Sequence, residues 1–154
     1  MNPARVYAVR NRISEALSRN GPTADRLVSD ADARVAVLAD RIEVFVAGKV
    51  ALLTPWADQP EEALFGGCQA IGEPAMCIAE VAEAAGKDAV GAIARGICVM
   101  VEGLVSRGIW HTDALRIHLR ALTLVQGQPG QPKSANLAIV EELRSLRSSL
   151  GLTE

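Results

Sequence analysis

Outside its carboxylates, the chain concentrates its nucleophilic and metal-ligating chemistry in five side chains: Cys68, Cys77, Cys98, His111 and His118. No pair among them has the short separation of a structural zinc motif, so a tetrahedral site would need ligands converging from several distant segments. No metal is expected. An odd number of cysteines without a CxxC pair fits buried free thiols in a reducing cytoplasm better than a disulfide framework. The serines carry no GxSxG elbow, and Gly66-Gly67 lacks the Gly-Lys-Ser/Thr ending of a phosphate loop. On a helical wheel His118 falls among Ala114, Leu115, Ala121, Leu122 and Val125, opposite Asp113, Arg116, Arg120 and Thr123. That placement predicts a packed or interface histidine and is a poor one for a phosphoryl acceptor, which another protein must be able to reach. His111 reads as a turn residue beside Trp110. No catalytic residue and no cofactor is expected, and the chain reads as non-enzymatic.

The elements that would position these residues are helical nearly throughout. At 154 residues, with 49% apolar side chains, the chain is long enough for one domain with a sizeable core. Aromatics supply only 3%, so that core must be built from Ala, Val, Leu and Ile. The net charge of −2 lacks the basic excess of a nucleic-acid binder and gives no attraction to an anionic membrane. Met1 to Arg19 contains no apolar core of a targeting segment. Val35 to Leu53 is interrupted by Asp40, Arg41, Glu43 and Lys49, so it fails as a membrane span. Neither nucleic acid nor membrane is an expected partner, and a soluble cytoplasmic protein is expected.

Along the chain, Val6, Val9, Ile13 and Leu17 form a first helical stripe that stops at Asn20-Gly21-Pro22. A long helix then follows from about residue 24 to 53, with Thr23 as its cap. Val28, Ala31, Val35, Leu38, Ile42, Phe45, Lys49 and Leu52 follow a three-four repeat on it, a seam that calls for a partner along its length. Residues 1–34 read as an N-terminal hairpin or dimerisation element, making a homodimer a further expectation. Pro60-Glu61-Glu62 opens the next helix, which Gly72-Glu73-Pro74 should interrupt or kink. Lys87-Asp88 opens a helix ending at Gly108, Thr112-Asp113 caps another reaching about Val125, and residues 127–133 form a linker. A last helix runs over 134–151 with Ile139, Leu143, Leu146 and Leu150 on one stripe.

The most specific stretch is Glu61 to Pro74, EEALFGGCQAIGEP. It resembles the motif helix of histidine phosphotransfer domains, four-helix bundles in which His-x-x-Lys-Gly presents an exposed acceptor histidine. Gly66 stands at the motif glycine, and Ile71-Gly72-Glu73-Pro74 resembles a later turn. Glu62 stands at the acceptor histidine and Phe65 at the lysine. The likeness spans about residues 35–126, and the pattern Trp110-x-x-Asp113-Ala-Leu-x-x-His118 looks like the final helix of such proteins. The whole chain is similar to the small chemotaxis accessory proteins of alphaproteobacteria.

The resemblance implies an all-α bundle of the phosphotransfer type with added N- and C-terminal helices and without the phosphotransfer chemistry. A mixed anhydride on Glu62 would not have the reactivity of a phosphorylated imidazole, and Phe65 cannot balance phosphoryl charge. The function implied is a two-component signalling adaptor in chemotaxis that docks a response-regulator receiver domain through Glu62, Phe65 and Gln69. Two other readings stay open: a phosphotransferase or response-regulator phosphatase using His118 or His111, and a structural homodimer on the Val28–Leu52 seam.

Overall fold

The computed structural model describes residues 24–128 and 130–152, so the stripe of Val6 to Leu17 and the cap at Thr23 lie outside the described residues. Among the described residues six α-helices follow in order: α1 (Ala24–Leu53), α2 (Glu61–Gly66), α3 (Cys68–Val81), α4 (Asp88–Arg107), α5 (Thr112–Gly127) and α6 (Lys133–Ser149). Short 3₁₀ turns at Thr54–Asp58 and Ala82–Ala85 join α1 to α2 and close α3. No strand occurs among the described residues, and the fold is an all-α bundle. Two compact units divide the chain, residues 1–37 and 38–154.

In the first unit the described residues are the N-terminal part of α1, where Leu27, Val28, Val35 and Val37 are exposed. The second unit holds the core, and α4 is its central helix, packed against α3, α5 and α6. Val90, Ile93, Ala94, Ile97 and Met100 of α4 are buried together with Ile71, Ile78, Leu115, Leu119 and Leu122. By length and composition α4 would also suffice to cross a membrane. Its buried apolar residues are those of a core helix. Among the described residues no Phe or Trp side chain is fully buried, and Trp56 and Trp110 pack partly buried against the core.

Helix α1 meets this core on a different stripe from the sequence seam. Val46, Val50 and Leu53 are buried and Ile42 is partly buried, at spacings of four, four and three. Seam residues Val28, Val35, Leu38, Phe45 and Leu52 are exposed. The helix has two apolar stripes, and periodicity alone does not rank them.

Pro74 does not interrupt its helix, one of the two outcomes expected of it: α3 runs from Cys68 to Val81 with the proline inside. Proline removes one amide donor and crowds the carbonyl four residues earlier. That residue, Ala70, lies on the exposed side, where water can solvate the freed carbonyl. The turn that the resemblance implies at residues 71–74 is therefore helix.

The last helix is an integral wall of the bundle. Leu143 and Arg147 of α6 are buried, and the chain reverses at Gly151, whose φ of 73° suits glycine. Leu152 N–H then donates to the Arg147 carbonyl at 2.9 Å and Gly151 N–H to that of Ser148 at 3.1 Å, a Schellman closure. This returns the Leu152 side chain, 1% exposed, onto Gly103 of α4. Seven residues earlier, Gly96 of α4 faces the Arg147 guanidinium and the His118 ring of α5.

At Gly96 a Cβ would overlap Arg147 Nη1 and sit 3.0 Å from His118 Cδ2. Gly96→Ala is expected to destabilise the protein by about 1–3 kcal/mol, the usual cost of overpacking. Urea unfolding should show a lower midpoint with an unchanged slope. An unchanged midpoint would mean that Arg147 yields without cost.

Candidate functional site

Glu62, Phe65 and Gln69 stand three and four residues apart and are all exposed. Phe65 keeps 54% of its surface in solvent. The α2–α3 junction at Gly67 does not scramble the face, because Leu64, Ile71, Ala75 and Ile78 continue one buried side across it. Gly67 N–H donates to the Ala63 carbonyl at 2.8 Å, and Ile71 N–H to that of Gly67 at 3.0 Å. The helical register therefore carries through the junction, and the three residues share the opposite, solvent side.

Both tryptophans brace this junction. Trp56 packs over Gly67, where a Cβ would overlap its ring. Gly66, the residue at the motif position, faces open space. Close packing within the chain requires glycine at Gly67, the neighbour of the motif position. Trp110 meets the Phe65 ring edge to face, with centroids 5.7 Å apart and planes at 82°. Its indole N–H donates to Thr112 Oγ1 at 2.9 Å. That hydroxyl anchors Trp110 and makes no cap bond for α5, in contrast to the capping expected of it.

The loop that carries Trp56 is tied to α5. Thr54 Oγ1 lies 3.1 Å from Thr123 Oγ1, Arg116 donates to the Gln59 carbonyl at 2.8 Å, and Arg120 pairs with Asp58 at 3.0 Å. Pro55, Trp56, Gln59, Ala63, Gly66 and Gly67 line an open groove beside the Phe65 face. The support of Phe65 by Trp110 was not legible, because the two lie 45 residues apart in the chain.

Charge adds to the character of the face. Between Lys49 and Lys87 there is no basic residue, while Asp58, Glu61, Glu62, Glu73, Glu80 and Glu83 fall there. Asp58 and Glu83 pair with Arg120 and Arg95 of neighbouring helices, and Glu61, Glu62, Glu73 and Glu80 are exposed. A protein that docks on α2 and α3 therefore meets apolar rings bordered by carboxylates, which basic groups complement.

The imidazoles lie elsewhere. His118 has no exposed surface. Its Nδ1 lies 2.8 Å from the Ala114 carbonyl, which can only accept, so Nδ1 carries the proton. Nε2 then offers its lone pair to Arg147 Nη1 at 3.1 Å. With both nitrogens engaged inside the core, this imidazole is not a surface phosphoryl acceptor. His111 is half-buried at the start of α5, where its carbonyl accepts from Leu115 N–H at 3.1 Å. Among the described residues no three His, Cys, Asp or Glu side chains are grouped to hold a metal.

Cys68, Cys77 and Cys98 are free thiols, each partly buried. Burial raises the Cys68 and Cys98 thiols above their ordinary range, which keeps them protonated. A separate cleft of about 340 Å³, with Lys87, Asp88, Lys133 and Asn136 on its walls, opens near the N-terminus of α4. Lys87 there pairs with Glu43 at 3.0 Å. No family model, curated protein or solved structure matches this chain.

Desolvation, reinforced by the Arg147 charge and partly offset by the Ala114 bond, lowers the His118 pKa from 6.5 to about 4. Between those values the unfolded chain binds a proton that the folded chain refuses. The stability contributed by neutral His118 is therefore complete above pH 6.5 and is lost as pH falls toward 4, by about 3 kcal/mol in all. Urea midpoints measured at pH 7.5 and pH 5 should fall for the wild type and fall much less for His118→Gln. Equal falls in both proteins would contradict a buried neutral histidine.

Proposed function

We propose that the protein is a non-enzymatic signalling adaptor that binds the receiver domain of a response regulator through the exposed face of α2 and α3. The observation that carries this reading is Phe65, half exposed, held against Trp110, and flanked on its own face by Glu62 and Gln69. An aromatic ring fixed in place by a second ring loses little freedom when a partner covers it, which is what an interface anchor needs. The acidic border favours a partner with basic groups around an apolar patch. The likeness of EEALFGGCQAIGEP to a phosphotransfer motif helix selects a receiver domain of the chemotaxis type as that partner. Glu62 at the acceptor position makes the contact one of binding without phosphoryl transfer.

Isothermal calorimetry of the protein against receiver domains from the same cell should give saturable binding that weakens as salt is raised. Phe65→Ala should lower the affinity about thirtyfold, the effect of losing a 2 kcal/mol anchor. Glu62→Arg should weaken it as well and reduce its salt dependence. If no receiver binds in either phosphorylation state, or if Phe65→Ala binds as tightly as wild type, the proposal is wrong. Label passing from a phosphorylated receiver to the protein, and lost in His111→Ala, would instead favour a phosphotransferase.

A further inference from the structure

We infer that the groove between the Trp56 loop and α2 receives an arginine side chain of the partner, a step that rests on the reading of α2 and α3 as a docking face. The groove follows from spacing. Ala63, Gly66 and Gly67 stand three and four residues apart, on one stripe of α2 and its junction, and Pro55, Trp56 and Gln59 complete the lining. Gly67 lets the Trp56 ring lie against the helix, whereas a Cβ at Gly66 would meet nothing within 4 Å. Bare helical backbone therefore leaves room beside an aromatic ring. Trp56 is partly buried against the core, so the ring is already in place when a partner arrives.

The chemistry of the walls selects the occupant. The lining is an indole, a proline ring, small or absent side chains and the Gln59 amide, with no charge of its own. Charge lies at the rim. Glu62 stands one turn before Gly66, is exposed, and forms no ion pair among the described residues. On the α5 side Arg116 and Arg120 already pair with Asp113 and Asp58, at 3.2 and 3.0 Å. The uncompensated charge at the rim is therefore negative. An apolar stem ending in a planar cation matches both features. A guanidinium stacks on an indole and gives two N–H groups to one carboxylate, a combination that an ammonium does not offer. A neutral side chain would leave Glu62 without a partner at the edge of a covered surface.

N-acetyl-arginine amide added to the full chain should shift the Trp56 indole N–H and the Gly66 and Gly67 amides in correlation NMR, saturating at millimolar concentration. N-acetyl-citrulline amide, of the same shape without the charge, should give no saturable shift. Glu62→Gln should weaken the arginine probe about threefold, the effect of one exposed ion pair. Gly66→Leu fills the groove without meeting another part of the fold and should abolish binding of the probe. With a receiver domain that binds the wild type, Gly66→Leu should lower the affinity about tenfold while Phe65 keeps its role. A citrulline probe that shifts the same signals, or an arginine probe that shifts none, overturns the inference. A receiver that binds through Phe65 and ignores Gly66→Leu also overturns it and leaves the docking reading standing. If the arginine probe seats as described and no receiver binds, the docking reading fails and the groove stands as an arginine site.

Discussion

Close approach to α4 is the constraint on which the bundle depends. Its core holds no fully buried aromatic among the described residues, and aliphatic side chains each cover less area than the 150–250 Å² of an aromatic ring. Such a core fills only if the helices come near one another, at the density of an organic solid. Helix α4 allows this by carrying no side chain at Gly96, which faces Arg147 of α6 and His118 of α5, and none at Gly103, which faces Leu152 after the end of α6. The scarcity of aromatics and the glycines of the central helix are therefore two sides of one packing solution.

What occupies the space beside Gly96 settles the fate of the histidine with the most suggestive sequence position. A buried guanidinium needs acceptors, and a neutral imidazole supplies one only when its proton sits on the other nitrogen. The Ala114 carbonyl, one turn earlier on α5, holds the His118 proton on Nδ1 and so frees Nε2 for Arg147. Protonation would remove that acceptor and set two cations 3.1 Å apart. The helix α5 to α6 contact thus depends on an uncharged ring. A residue type associated with proton and phosphoryl transfer is committed here to holding a wall in place, and its chemistry is spent on structure.

Much of this was legible from local pattern. The bounds of α1, the start of α4 at Asp88 and the inward side of His118 follow from spacing and from turn residues, which act over a few positions. The misses share a different cause. Gly72-Glu73-Pro74 was read as an interruption or a kink because the local effect of proline is unfavourable, and the exposure of Ala70, where its carbonyl is freed, depends on which side of α3 faces water. Thr112 was read as a cap because the type fits, while Trp110 two residues earlier claims its hydroxyl. The Arg147–His118 and Trp110–Phe65 contacts were missed because the partners stand tens of residues apart in the chain, and no period in one sequence marks such pairs. Glu62, Phe65 and Gln69 were singled out by the resemblance of Glu61–Pro74 to a motif helix, and the structure finds all three exposed, whereas nothing in the sequence marked the ring that fixes Phe65.

The same distinction bears on what a face without an imidazole can do. On the proposed reading, a receiver that docks on α2 and α3 finds a carboxylate where a phosphotransfer domain would present its acceptor. A phosphotransfer complex is driven apart by its own reaction, because transfer of the phosphoryl group changes the charge on both partners. A complex on Glu62 has no such step. Its lifetime is set by the Phe65 anchor and by the charge border, and its occupancy by the amounts of the two proteins. Phosphorylation of the receiver then acts on the complex from one side only: it adds negative charge to the partner, opposite a surface that is already acidic. Repulsion between the two makes the unphosphorylated receiver the preferred form. On that reading, a carboxylate at this position makes the face a selective holder of the unphosphorylated partner.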